Sequence, residues 1–204
     1  MRDRSTVRLL ILPLVGAVLT LSIFGVHVHL LFSPIPSSIQ TYVNNLFSGR
    51  IASGIPNDTY MPGSFKDLQP GDIVLGGWKD CAYGLYSHAG IYAGNGLVLE
   101  ALVDTGVTDM YVDHFMQYSH IAVIRIKASP EARQKAVDFV AARKGEMFFP
   151  LAFKNDNRYW NCTTILWKAY ETQGVDLDVL GDLWISPENM KYSPEVDIIY
   201  DRNR

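Results

Sequence analysis

The chain has 204 residues, of which 48% are hydrophobic and 19% are charged, and this composition excludes an intrinsically disordered protein. The formal net charge is −3, and no run of Lys and Arg follows Arg8, so the sequence lacks the basic surface that binds nucleic acid. The length predicts one soluble domain with a sizeable core.

The first residues differ from this average. Arginines precede residues 9–26, which carry no charge, and the apolar character continues to Phe32. A cleaved signal peptide usually has an apolar core of about 7–15 residues, and a buried helix seldom stays apolar on every face. We therefore predict a cytoplasmic stub and a transmembrane anchor over residues 1–33. Because positive flanks stay in the cytoplasm, the following residues are predicted to be extracytoplasmic.

Two segments follow the predicted anchor. Residues 34–64 are rich in Pro and Gly and predict a juxtamembrane linker with one short helix at 39–47, capped by Ser38. Residues 65–204 form the predicted folded domain. Its predicted strands are 73–75, 87–93, 97–102 and 121–126, and its predicted helices are 130–144, 162–174 and one that starts at 186–188. Strands followed mostly by helices predict an α+β fold with an antiparallel sheet packed against helices.

Cys162 is the candidate nucleophile. It follows Asn161, which can cap a helix, so its sulfur is predicted to lie in a first helical turn, where backbone N–H groups and the helix dipole favour a thiolate. Ile165, Leu166 and Ala169 lie on the same helical face and should be in the core. A single cysteine at a helix start is also consistent with a small buried apolar residue.

His88 and Glu100 are the candidate base and the candidate orienting carboxylate. His88 opens the predicted strand 87–93, where the sheet can aim its imidazole at a helix start. With a three-residue loop at 94–96, Glu100 would be a diagonal neighbour of His88 on one face of the hairpin. A two-residue loop would instead turn Glu100 to the other face.

The order histidine, glutamate, cysteine resembles that of circularly permuted, NlpC-type papain-like cysteine hydrolases, the YiiX/YebB-like group. Their lipid-directed relatives include the lecithin retinol acyltransferase-like enzymes. The resemblance covers about residues 65–197 and is carried by LQPGDIV at 68–74, SHAGIY at 87–92, GNG at 94–96, EA at 100–101, IAVIR at 121–125, Gly145, NCTTILWKAY at 161–170 and SPENM at 186–190. It implies a circularly permuted papain-like fold for residues 65–204.

The resemblance also implies a function. It makes Cys162 the nucleophile, His88 the base and Glu100 the third member of a triad that cleaves amide bonds, with Tyr159 and Trp160 in substrate binding. No cofactor is expected. The implied substrate is a cell-envelope peptide, reached from the membrane anchor. An acyl-lipid substrate and a non-catalytic, membrane-tethered binding module remain alternatives.

The remaining histidines and the second cysteine raise two further alternatives. His114 and His120 stand among acidic residues without the spacing of metal ligands, so a metal site is not expected and this stretch is predicted to be a solvated loop. Cys81 could form a disulfide with Cys162, because an extracytoplasmic location permits one. Such a disulfide would silence the predicted site.

Overall fold

The chain divides into two units, Met1–Pro36 and Ser37–Arg204. The structure is a computed structural model that describes residues 15–18, 22, 25, 33–50, 53–56, 65–154 and 156–202. In the first unit, residues 15–18, 22 and 25 are helical. The second unit contains the sheet and every predicted site residue.

The prediction of a transmembrane anchor is corrected by the structure. No helix in the described residues is both long enough and apolar enough to cross a membrane. A crossing needs about 20 apolar residues, whereas the longest helix of the described part, Pro130–Ala141, has 12. Most of the predicted span, residues 9–26, lies outside the described residues. The predictions of a single-pass topology and an extracytoplasmic domain, which depended on this anchor, fall with it.

The second unit is built on an antiparallel sheet. Its strands are β1 Ile73–Gly77, β2 His88–Gly94, β3 Leu97–Leu102, β4 Gly106–Tyr111, β5 His120–Ile126 and β6 Val196–Asp201. They form one 6-stranded sheet in the order β4-β3-β2-β1-β5-β6, with antiparallel pairing throughout. The predicted α+β class with an antiparallel sheet is therefore confirmed. The sequence pattern does not predict β4 or β6.

The helices of this unit begin at side-chain caps in three of four cases. They are α1 Ser38–Phe47, α2 Pro130–Ala141, α3 Thr164–Glu171 and α4 Pro187–Lys191, and a 3-10 helix spans Val112–Gln117. The hydroxyl groups of Ser37, Ser129 and Ser186 each accept a backbone N–H three residues later, which satisfies a donor at the helix start. The predicted starts of α2 and α4 are confirmed, and α2 ends at Ala141 rather than at Lys144.

The two faces of the sheet are covered by different elements. Successive residues of a strand point to opposite faces. Ile73 and Leu75 of β1 belong to the apolar cluster that contains the buried residues of α2, α3 and α4. Val74 belongs to a second cluster with Phe115 and Tyr118, from the 3-10 helix and the residue after it. The 3-10 helix therefore packs on the face opposite the α-helices.

The predicted turn at 68–72 connects the sheet to α3. The buried carboxylate of Asp72 accepts the Gln69 N–H at 2.7 Å and pairs with the Arg125 guanidinium at 2.7 Å. The Tyr170 hydroxyl of α3 donates to the carbonyl of Gly71. These bonds hold the helix that follows Cys162 against the strand next to His88.

Gly71 is expected to be the least replaceable residue of this turn. Its φ is +91°, and a Cβ there would lie 2.5 Å from the Cβ of Arg133. Left-handed backbone at a non-glycine residue costs about 1–3 kcal/mol, and the collision adds to it. We expect Gly71→Ala to lower the urea midpoint with an unchanged m value. The control is Gly96→Ala, at φ +76° with nothing within 4 Å of the added Cβ, and an equal loss in both variants would contradict the collision.

The helix predicted in the linker packs on the folded domain. The Asn45 side-chain amide donates to the Ala82 carbonyl at 3.2 Å, and the Tyr42 ring stacks on Tyr83 with 5.6 Å between centroids. Its cap is Ser37, one residue earlier than predicted. The linker boundaries at 34 and 64 remain predictions.

Candidate active site

The β2–β3 hairpin sets the position of the candidate base and carboxylate. Ile91 pairs with Leu99, which is the register predicted from the sequence, but Gly94 pairs with Leu97 and closes a two-residue turn. One extra residue of β2 bulges between these pairs. The bulge compensates for the shorter turn, so Glu100 stays on the face that the three-residue loop predicted.

His88 and Glu100 are in direct contact on that face. Nε2 of His88 lies 2.5 Å from Oε2 of Glu100. Glu100 has an exposed fraction of 0% and His88 of 8%. Burial alone would lower the pKa of His88, but its hydrogen bonds to Cys162 and Glu100 outweigh burial and raise the pKa to about 10. The imidazole therefore interacts with both the thiol and the carboxylate.

Asn161 fixes the chain around Cys162 by reciprocal hydrogen bonds. Its Oδ1 accepts the backbone N–H of Thr163 at 3.0 Å and of Thr164 at 2.8 Å, and its own N–H donates to Thr164 Oγ1 at 2.9 Å. The predicted capping by Asn161 is confirmed, although the regular helix starts only at Thr164. Cys162 lies in the turn that leads into α3 and is partly exposed.

The two aromatic residues predicted to bind substrate lie in different surroundings. Tyr159 is 43% exposed, and its ring lies 5.3 Å from that of Phe149. Trp160 is 1% exposed, and its indole N–H donates to the Glu146 carboxylate. Tyr159 can therefore contact a substrate, and this role stays a prediction. The Trp160 side chain belongs to the core and offers no surface to a ligand.

No disulfide joins Cys81 to Cys162, and both of these described residues carry thiols. Cys81 is buried, and its sulfur accepts the Tyr83 N–H at 3.3 Å. Burial raises the pKa of the Cys81 thiol, which disfavours its reactive form. Cys162 is the partly exposed cysteine, next to a histidine.

His114 is a contact of Glu100 that the sequence analysis missed. Its Nε2 lies 2.9 Å from Oε1 of Glu100, and its side chain is 17% exposed. The stretch predicted as a solvated loop contains the second half of β4 and the 3-10 helix. No local motif marks this contact, because the two residues come together only when the chain turns back across the sheet after β4.

Tyr118 is a second residue near the site that the sequence did not indicate. Its ring lies 6.1 Å from that of His88 and packs over Gly76, where any Cβ would collide with it. Burial, followed by the negative charges of Glu100 and Cys162, raises the pKa of Tyr118. Its hydroxyl therefore stays protonated. Within the described residues, no group of three or more His, Cys, Asp and Glu side chains could hold a metal ion.

Residues 66–194, which include the complete Cys–His–Glu cluster, match the family described as permuted papain-like amidase enzyme, YaeF/YiiX, C92 family. The chain belongs to the permuted papain-like amidase family. The predicted resemblance to YiiX-like proteins is thus confirmed, with the YaeF/YiiX amidases in place of the NlpC type. No curated protein matches the chain.

A solved structure supports the fold of this amidase family member. The chain is similar to the crystal structure of metalloprotein yiiX from Escherichia coli O157:H7, with a TM-score of 0.54 and 17% sequence identity. The similarity covers 65% of this chain and 97% of that one. At this identity the similarity shows a common fold. The six-stranded sheet with its helices thus fits a papain-like fold.

Proposed function

We propose that the chain is a thiol-dependent amidase in which Cys162, His88 and Glu100 form the catalytic triad. The observation that carries this proposal is the His88 imidazole, which hydrogen-bonds to Cys162 and lies 2.5 Å from the buried Glu100 carboxylate. A nucleophile, a base and a group that orients the base are the parts that covalent acyl transfer needs.

The proposed reaction has two steps. The Cys162 thiolate attacks the carbonyl carbon of the amide, and the amine leaves with the proton of the His88 imidazolium, which produces a thioester. His88 then removes a proton from water, which attacks the thioester and releases the carboxylic acid. The proton taken from water stays on His88, so the thiolate and the imidazolium are both restored. Glu100 stabilises the imidazolium and fixes its orientation through both steps.

The start of α3 provides a donor for the negative oxygen that forms during attack. The backbone N–H of Cys162 donates to no acceptor within the described residues, whereas the next two N–H groups are bonded to Asn161. An N–H group beside the nucleophile can stabilise the oxyanion of the tetrahedral intermediate. The Tyr118 hydroxyl stays protonated, and it is a candidate second donor because its ring lies 6.1 Å from that of His88.

The proposed substrate is an amide, and the cell-envelope peptide inferred from the sequence is the first candidate. A fatty acyl amide is the second candidate, because apolar side chains are exposed on the segment that contacts Asn161, the residue before the nucleophile. Met147 is 78% exposed and Leu151 is 62% exposed. Their segment contacts the cap of α3, since the Asn161 side chain donates to the Pro150 carbonyl at 3.4 Å.

The test compares hydrolysis of peptide amides with hydrolysis of fatty acyl amides dispersed in detergent. We expect turnover of one class, and acid quenching should trap a thioester whose acyl mass maps to the peptide that contains Cys162. The physical reason is that the thioester is a covalent intermediate on the path to product. Mass spectrometry of the digested protein measures the adduct.

Four outcomes are informative. Turnover of peptide amides supports the first candidate, and turnover of acyl amides supports the second. Turnover without an adduct, and without inhibition by iodoacetamide, would contradict the thiol mechanism. Binding of either class without turnover would favour a binding module that retains the fold.

A further inference from the structure

The carboxylate of Glu100 contacts two histidines, and the proposed triad uses only one of them. Oε2 lies 2.5 Å from Nε2 of His88, and Oε1 lies 2.9 Å from Nε2 of His114. We propose that His114 is a positioning residue, which holds Glu100 in the orientation that keeps His88 turned toward Cys162. This inference rests on the proposed function, because it assigns a further residue to the same site.

The burial of Glu100 makes both of its oxygens depend on protein partners. Its exposed fraction is 0%, and a buried carboxylate without partners on its oxygens is costly. His88 satisfies Oε2. Oε1 and His114 Nε2 have no other hydrogen-bond partner among the described residues, and their 2.9 Å contact is misaligned for a hydrogen bond. The contact is thus mainly electrostatic, and removing it would leave Oε1 without a partner.

Neighbouring residues hold the His114 ring in place. The Phe115 ring packs against it with 4.5 Å between centroids, and the Tyr118 ring stands edge-on at 6.5 Å. The Gln117 side-chain amide lies 3.5 Å from Nδ1 and can donate to it. In a neutral imidazole, an accepting Nδ1 leaves the proton on Nε2. Packing therefore holds Nε2 next to the carboxylate, and this tautomer places the proton on Nε2.

The ionisation of Glu100 depends on both histidines. Burial alone would raise the pKa of Glu100, but the contacts to His114 and then His88 outweigh burial and hold the pKa below its ordinary value. The other titratable groups that face this cluster are Cys162, which contacts His88, and Tyr118 beside Glu100. Without His114, one of the two contacts that lower the pKa of Glu100 is lost, so the pKa rises. A protonated Glu100 no longer stabilises the imidazolium form of His88.

The test measures the rate at which iodoacetamide alkylates Cys162 in the full chain, from about pH 5 to 8, where histidines titrate. We expect His114→Phe to slow alkylation near pH 6 by about 10- to 100-fold, as is typical when the group that orients a site residue is lost. In a plot of alkylation rate against pH, the fall in rate on the acid side should occur at a higher pH than in the wild type. His114→Gln, whose amide can donate to Glu100, should recover most of the rate. With an amide substrate, kcat should fall while KM changes by less than about twofold.

Two controls separate this role from packing and from failure of the proposed function. Urea unfolding of both His114 variants shows whether they are folded. A stability loss with the wild-type pH profile would make His114 a packing residue and overturn the inference. If His88→Ala slows alkylation and His114→Phe does not, the triad stands and only the role of His114 fails. If neither variant changes the rate, the proposed thiol–imidazole pair fails as well.

Discussion

Replacing either Cys162 or His88 by alanine is expected to lower kcat/KM for amide hydrolysis by at least about 10³-fold. Replacing both should cost no more than the larger single loss. The reason is that the thiol and the imidazole act as one unit in the structure, in which His88 hydrogen-bonds to Cys162 and its pKa rises to about 10 through that bond and the contact with Glu100. A base without its nucleophile has no proton to transfer, so the second substitution removes nothing further.

The chain contains a matched control for this experiment in Cys81→Ala. Cys81 is the other cysteine, is buried, and accepts a backbone N–H in a separate loop. Its replacement should leave kcat/KM within about threefold of wild type, since the burial that raises its pKa disfavours the reactive thiolate. Steady-state kinetics of the four variants measure the cycle. If the fold loss in kcat/KM of the double variant equals the product of the two single losses, Cys162 and His88 contribute independently. That result would contradict the coupled pair.

The parts of the site that the sequence predicted correctly depend on short-range rules. Asn161 and Thr164 are three residues apart, so their reciprocal capping follows from local sequence. The burial of Ile165, Leu166 and Ala169 follows from helical spacing, and all three have an exposed fraction of 0%.

The hairpin shows why a correct prediction can rest on an incomplete reason. The sequence predicts that Glu100 lies beside His88 if the hairpin has a three-residue loop. The structure instead has a two-residue turn and a bulge that restores the same register. A β-bulge has no sequence signature strong enough to find here. The register nevertheless follows, since the apolar residues Leu99 and Ala101 must face the helices.

The parts of the site that the sequence does not predict are joined by long-range contacts. In β4, Asp109 and Tyr111 are exposed edge residues, so the strand lacks the buried run that predicts one. Without β4, the position of the 3-10 helix on the opposite face of the sheet could not be inferred. The sequence therefore predicts a solvated loop around His114, although Nε2 of His114 lies 2.9 Å from Oε1 of Glu100.

The acid–base behaviour of the site follows from the signs of two pKa shifts. Glu100 has a folded pKa below its ordinary value of 4.5, so its contribution to stability is present above pH 4.5 and is lost as pH falls through the folded pKa. His88 has a folded pKa raised from 6.5 to about 10, so its contribution is complete below pH 6.5 and is lost as pH rises toward 10. The pair therefore stabilises the fold most between pH 4.5 and 6.5.

Glu100→Gln is expected to lower kcat by about 10²- to 10⁴-fold, because an amide can stay in contact with His88 but cannot stabilise its positive charge. The same substitution should reduce the free energy of unfolding by about 2 kcal/mol near pH 5.5, which is typical for a hydrogen bond to a charged group. This stability difference should shrink as pH falls below 4.5 and as pH rises above 6.5, because the carboxyl group or the imidazole of the unfolded chain is then uncharged and folding has to ionise it.

Urea unfolding at several pH values, in the Cys162→Ala background, isolates the Glu100–His88 pair from the thiolate. The control is Glu188→Gln, a carboxylate that accepts the Leu85 N–H at 3.0 Å away from the triad. Its stability difference should not decline above pH 6.5, since no histidine pairs with Glu188 in the part of the chain that the structure describes. A Glu100→Gln difference that stays constant from pH 4 to 9 would contradict an ionised Glu100–His88 pair, and the carboxylate would then serve His88 only as a neutral acceptor.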